Sequence, residues 1–313
     1  MLNTTQTSEY LKKYNFLLLF VILLMISSAF SPNFLTIQNL LNIWQQSSIL
    51  GVVSIGATFV ILIAGIDLSA GAVVAVSGMI VSLAATGNAG LVLGVILAVT
   101  CGIAIGLFNG LISTLGKVPG FITTLATMSA GNGLALIITR GKPIYNLPAS
   151  LQFLGGGYVG SLPLMGIIWV VLSIIAGIVL KWLPFGRHVY AVGGNSEAAR
   201  LSGIKTKTIA IIAYTVSGFL AAIAGILLAG WLTVGYPTSG GSLPLESIAA
   251  VVLGGTSLFG GIGGIGGTFI GVLMLTIITN IFNLLGFSSY FQMIGYGFII
   301  ILAVFLNKLI SPG

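Results

Sequence analysis

The chain has 313 residues, with 11 Lys or Arg, 4 Asp or Glu, a formal net charge of +7, 57% hydrophobic residues and 45 glycines. A charged share of 5% is about a fifth of that in soluble domains, too little to cover a water-soluble surface. This excludes a cytosolic enzyme, a secreted disulfide scaffold and a disordered chain, and the single cysteine, Cys101, cannot form an intrachain bridge.

Residues 14–66, 68–116, 118–139, 143–180, 208–245 and 247–307 carry no charge. A helical crossing needs about 20 apolar residues, so the longer stretches hold more than one. Runs such as Phe16 to Ile26 lack the period-two alternation of a barrel strand. The sequence therefore reads as all-α and polytopic, one transmembrane domain over 1–313. About ten helices are expected, near 15–31, 48–65, 68–86, 90–113, 119–138, 163–182, 208–229, 246–260, 266–286 and 292–309. The first follows Lys12 and Lys13 as a secretory signal would, with small residues Ser27 and Ala29. Its apolar run is long for a signal core, and removal would leave an odd number of spans, so it is read as retained.

Between the second and third helices lies Asp67, the only acid between Glu9 and Glu197. An acid in such a place is costly and points to function by default. Alternatively, Asp67 or Ser69 caps the third helix where the chain reverses at Gly65 and Gly71. In the fourth and fifth helices, Asn109, Asn132, Thr123, Thr124 and Thr127 either bond across helices or line a wet path. Gly94, Gly102, Gly106 and Gly110 recur at helical spacing, as close helix contact requires.

With the N-terminus in the cytoplasm, Lys12, Lys13, Lys117, Lys181, Arg187, Arg200, Lys205, Lys207 and Lys308 fall inside, and only Arg140 and Lys142 outside. This is the positive-inside bias, and it places both termini in the cytoplasm. The basic balance thus reflects topology, and no soluble domain exists for a nucleic-acid partner.

Two motif matches fail. Gly110 to Lys117 has one residue too many for a phosphate loop, and Val118 stands where a Ser or Thr is needed. Gly261-x-Gly263-x-x-Gly266 has no βαβ unit around it. With His188 the only histidine, no metal cluster is expected, nor a nucleophile–base pair, a cofactor or enzymatic activity.

The loop 183–207 is the one polar stretch with internal organisation. Asn195 suits an N-cap, Glu197 lies in the first turn where the helix dipole favours an acid, and Gly203 suits the C′ position. A short helix over 196–202 is expected, with Ala198 and Ala199 as a small face that a partner approaches closely.

Gly186-Arg187-x-x-x-Ala191-x-Gly193-Gly194-Asn195-x-x-Ala198-Ala199-x-x-Ser202-Gly203-Ile204 resembles the coupling loop of ABC-importer permeases of the ribose/monosaccharide type. Ser31-Pro32-Asn33-Phe34-x-Thr36 with Asn39-Leu-Leu-Asn-Ile43 resembles that family's first extracytoplasmic segment. Gly65-Ile66-Asp67-Leu68-Ser69-x-Gly71 resembles its signature turn. Ile248-Ala-Ala-Val-Val-Leu-Gly-Gly-Thr-Ser257 and Ser288-Ser289-Tyr290-x-Gln292-Met293-Ile294 resemble its eighth and last spans. The order of these segments along the whole chain makes the match specific.

The resemblance implies a type II ABC importer-like permease in a bacterial inner membrane. It implies a second permease copy, cytoplasmic ATPase subunits and an extracytoplasmic sugar-binding protein as partners. Arg187, Gly194, Asn195, Glu197, Ala198, Ala199 and Gly203 would then couple to the ATPase. Gly65, Asp67, Ser69 and Gly71 would form a gating turn, with capping, ATPase contact and proton carriage open for Asp67. Asn109, Asn132, Tyr145, Tyr236 and Glu246 would line the path or its outer mouth, with Arg140 and Lys142 nearby. The cargo implied is ribose or a related monosaccharide. A nucleoside or furanone-type signal, or an ion-coupled secondary transporter, stands as the alternative. The sequence departs from the family pattern at Trp231, Leu243-Pro244, Ile262 and Gly264.

Overall fold

The computed structural model describes residues 4–288, 290–292, 294–295 and 297–298. Its elements are α1 (Thr4–Phe30), α2 (Ile37–Leu62), α3 (Ala70–Thr86), α4 (Gly90–Thr114), α5 (Gly120–Thr139) and α6 (Ala149–Gly156). A two-stranded antiparallel hairpin, β1 (Tyr158–Val159) and β2 (Leu162–Pro163), leads into α7 (Leu164–Trp182). Then come α8 (Pro184–Gly194), α9 (Ser196–Leu201), α10 (Thr206–Leu232), α11 (Leu243–Leu253) and α12 (Ile265–Leu284). Of the expected helix 292–309, only 292, 294, 295, 297 and 298 are described, and they are helical; Lys308 lies outside the described residues.

Among the described residues six helices are long and apolar enough to cross a bilayer: α2, α4, α5, α7, α10 and α12. Leu17–Phe30, α3 and α11 are apolar but shorter. The expectation of about ten spans therefore holds only in its coarser form, a mostly helical chain with many apolar helices.

Two boundaries differ from the sequence reading for clear reasons. Helix α2 starts at Ile37, where the Thr36 side chain caps it by accepting from the Asn39 amide at 3.3 Å. Its first turns look like a loop because they are rich in amides and hydroxyls. Several of these point inward: Asn39 exchanges hydrogen bonds with Asn280 of α12 at 3.0 and 2.8 Å. Helix α11 stops at Leu253, because Gly254 and Gly255 (φ +84°) turn the chain.

Helix α10 is the hub, packed on α2, α3, α4 and α6. The spaced glycines of α4 do what their periodicity predicts. A Cβ at Gly102 would overlap the Gly218 carbonyl of α10, and one at Gly106 the Tyr214 carbonyl. Small residues let the two backbones touch, which is how helices gain contact where lipid is as apolar as leucine. On the other flank the fully buried Trp169 of α7 stacks on Phe269 of α12, ring centroids 4.2 Å apart. Its indole lies where a Cβ on Gly51 of α2 would stand. These seams fix the ends of the helices, where the polar assemblies sit.

Candidate functional site

At one end of the bundle three breaks meet. The turn after α2 (63–69), the end of α8 and the glycine loop after α11 (254–264) crowd around the Leu62 carbonyl. The last carbonyl of α2, on Leu62, accepts from the Gly261 amide at 2.9 Å, and a Cβ on Gly193 would overlap both. Gly260 (φ +85°) and Gly261 (φ +72°) adopt the left-handed backbone that this approach needs. Tyr190 of α8 donates to the Gly263 carbonyl at 2.9 Å, and Phe185 stacks on Phe59 of α2 at 6.1 Å.

Helix α8 was absent from the sequence reading. Pro184 at its first turn is pre-set for a helix, and Phe185, Val189 and Val192 fall on one face, with both valines buried. That i, i+4, i+7 spacing is the signal that finds it. The glycines and charged residues around it masked the signal.

Helix α9 follows the expected chemistry closely. The Asn195 side-chain oxygen accepts from the Ala198 amide at 2.9 Å. At the other end Gly203 (φ +85°) donates to the Arg200 carbonyl at 3.0 Å and Ile204 to the Ala199 carbonyl at 3.1 Å. That pair of bonds is a Schellman motif. Glu197 and Arg200 form a bidentate pair, 3.0 Å (Nε to Oε2) and 2.5 Å (Nη2 to Oε1). The hydrogen bond from Arg200 holds the exposed Glu197 carboxyl below the usual carboxylate range. Arg187, Gly194, Asn195, Glu197 and Ala198 are exposed. Ala199 is not: it is 5% exposed and belongs to the core. The expected alanine face is therefore split, Ala198 facing out and Ala199 anchoring the helix inward.

Asp67 is 5% exposed and sits at the centre of a hydrogen-bond chain. Its Oδ1 accepts from the Ser69 amide at 2.9 Å and the Ser69 hydroxyl at 2.6 Å, and its Oδ2 from Ser217 of α10 at 2.7 Å. Ser69 accepts from Asn109 of α4 at 2.8 Å, and Asn109 accepts from Thr127 of α5 at 2.7 Å. The Ile66 carbonyl accepts from Thr124 at 3.2 Å and Tyr214 at 3.4 Å. Asp67 thus holds the amide of Ser69, the residue before α3, and the chain of bonds ties that turn to α4, α5 and α10; neither side chain makes a capping hydrogen bond to α3 itself. Asn109 is fully buried in this network and faces no open path within this chain. Gly65 lies under the Tyr214 hydroxyl. Ser217 was missed because nothing in sequence separates it from other small polar residues in apolar helices.

The opposite end joins segments 140–148 and 233–242. Ile144 and Gly235 exchange backbone hydrogen bonds at 2.8 and 2.9 Å, which brings the exposed Tyr145 and Tyr236 onto adjoining segments. The chain then turns back into the bundle: Gly235 packs on Ser82 near the end of α3, and Gly240 on Gly71 near its start. Those α3 positions are separated by about 16 Å of helix rise. A Cβ on Gly71 would overlap the Gly240 carbonyl. Helix α11 starts from this depth, with Glu246 in its first turn and half-buried beside a cavity. Asn132 is exposed midway along α5, remote from these groups. Among the described residues no cluster of His, Cys, Asp or Glu could hold a metal ion.

Residues 39–304 match the family described as branched-chain amino acid transport system / permease component. The chain is 43% identical to the ribose import permease protein RbsC of Bacillus subtilis over 289 residues, 92% of this chain and 90% of that one. It is 39% identical to the protein of that name from Haemophilus influenzae, over 97% of this chain and 95% of that one. The autoinducer 2 import system permease protein LsrC of Yersinia enterocolitica is 33% identical, over 93% and 82% respectively. No solved structure matches the chain. A match over most of the chain, from α2 through α12, makes the chain a member of the branched-chain amino acid transport system / permease component family.

Proposed function

We propose that the chain is the membrane-spanning subunit of an ABC importer that passes ribose or a related monosaccharide by alternating access, driven by a separate ATPase. The observation that carries this is the α8–α9 elbow. The capped helix α9 continues from α8, which glycine contacts and Tyr190 hold against α2 and the α11–α12 loop. A rigid lever of this kind transmits displacement as a body. Arg187, Gly194, Asn195, Glu197, Ala198 and Gly203 form its outward surface or its hinge, and Ala199 its anchor.

In this reading the elbow end faces the cytoplasm, as the basic residues favour, and both termini lie there too. The three short apolar helices add to the six longer ones as crossings of a bacterial inner membrane, in a type II importer-like arrangement. Gly65, Asp67, Ser69 and Gly71 form a hinge that the hydrogen-bond chain holds closed, with Asn109 as its clamp. Asn132, exposed on a crossing helix, faces the path or a second permease copy, because an amide is costly in hydrocarbon. Tyr145 and Tyr236 receive the extracytoplasmic sugar-binding protein. The subunit itself performs no covalent chemistry.

The test is reconstitution with the neighbouring gene products. ATP-dependent D-ribose uptake that requires both the ATPase and the binding protein is expected; uptake by this chain alone under an ion gradient overturns the proposal. Identity to the autoinducer 2 permease protein favours a furanone-type signal as the second cargo to try.

A further inference from the structure

We infer that the cavity at the start of α11 binds a neutral, hydroxyl-rich solute, so that this chain adds a selection step of its own after delivery by the binding protein. The inference rests on the importer reading above and places a pausing site within it.

The cavity has a volume of about 340 Å³, within the range of small-molecule sites. Four elements line it: Gln46 of α2, Trp231 at the end of α10, Ser239 and Ser242 of the returning segment with Glu246 of α11, and Thr276 of α12. Apolar side chains such as Ile49, Leu50 and Leu228 make up the rest. Polar groups that face a cavity inside an apolar bundle are costly to keep and mark solute pathways.

The chemistry selects the class of solute. Glu246 offers carboxylate acceptors beyond the one that takes the Ser242 hydroxyl, and Gln46 an acceptor and two donors. Ser239 and Thr276 donate to the Tyr236 and Val272 carbonyls at 2.7 and 3.0 Å, which leaves their oxygens free to accept. Trp231 supplies a broad ring for an apolar C–H face. Hydroxyl donors above an apolar face match this lining. No Lys or Arg lines the cavity, and Glu246 in the first turn already offsets the positive helix end. The site is therefore not built for an anion. Nor is Glu246 engaged by a cation, since the one ion pair among the described residues is Glu197–Arg200.

Cys101 is the only cysteine, so a Cys101→Ala background isolates single reporters in the full complex. Labelling of Ser239→Cys by a thiol reagent is expected to slow several-fold with D-ribose. Protection should weaken about tenfold when Glu246→Ala or Trp231→Ala is added, the loss of one good contact. Gln46→Cys is the second reporter should the first variant fold poorly. With ribose-loaded binding protein, Glu246→Ala should lower uptake while stimulated ATP hydrolysis persists. Protection unaffected by Glu246→Ala, or stronger protection by the cationic sugar D-glucosamine than by ribose, overturns the site. The two readings fail separately: ATP-driven ribose uptake that survives Glu246→Ala sinks the site alone. Protection by neutral polyols without ATP-driven ribose uptake sinks the ribose reading alone.

Discussion

Two of the places where the chain turns back into the bundle use similar parts to opposite ends. Each leads into a short apolar helix, with Asp67 just before α3 and Glu246 in the first turn of α11. At the first, Asp67 is enclosed by Ser69 and Ser217, and a chain of side chains runs on to Asn109 and Thr127. At the second, Glu246 lies beside a cavity among Gln46, Ser239 and Trp231. The lesson is that a lone acid in an apolar chain has no fixed meaning. Its role follows from whether neighbouring helices close over it.

The largest expected effect breaks the closed end outright. Gly193→Val would drive a side chain into the Leu62 carbonyl and the Gly261 amide. Overlap with backbone that cannot yield costs more than about 4 kcal/mol, so little folded protein should survive detergent extraction and gel filtration. Next, Asp67→Ala leaves buried donors on Ser69 and Ser217 without acceptors, at roughly 3 kcal/mol. It should lower the apparent unfolding temperature by several degrees, whereas Glu246→Ala should cost only about 1 kcal/mol while reducing transport. Equal destabilisation by the two variants would erase the contrast. Asn195→Ala removes the cap of α9, worth about 1 kcal/mol; faster amide exchange at Ala198 and weaker coupling of ATP hydrolysis to uptake should follow. The smallest effect concerns Glu197. Because Arg200 lowers its folded pKa, the pair's contribution is present at neutral pH and fades as pH falls below about 4.3, the ordinary glutamate value. Exchange within α9, corrected for its intrinsic pH dependence, should rise there and should not change with pH in Arg200→Ala.

Much of this was legible in the chain. Helices α4, α5, α7 and α12 follow from uninterrupted hydropathy, and α9 from Asn195 and Gly203, since caps are local chemistry. The glycine periodicity of α4 announced a close helix contact but not its partners, α10 at Gly102, Gly106 and Gly110 and α3 at Gly94. Three features were hidden for physical reasons. The first turns of α2 bury their amides against α12, so polarity no longer signals a loop. Helix α8 packs a narrow apolar face through glycines, which lowers its helical signal. The hydrogen-bond chain around Asp67 draws on Ser217 of α10, Asn109 of α4 and Thr127 of α5, and contacts at such separations leave no trace in one sequence. Ala199 shows the same limit at a single residue: its neighbour Ala198 faces solvent, and only the seated helix says which alanine is which.

Crowding at the Leu62 carbonyl leaves little room for independent change: it takes the Gly261 amide, and Gly193 of α8 lies so close to both that no side chain fits there. In the proposed importer, a shift of α8 would be felt first at the end of α2 and in the loop after α11.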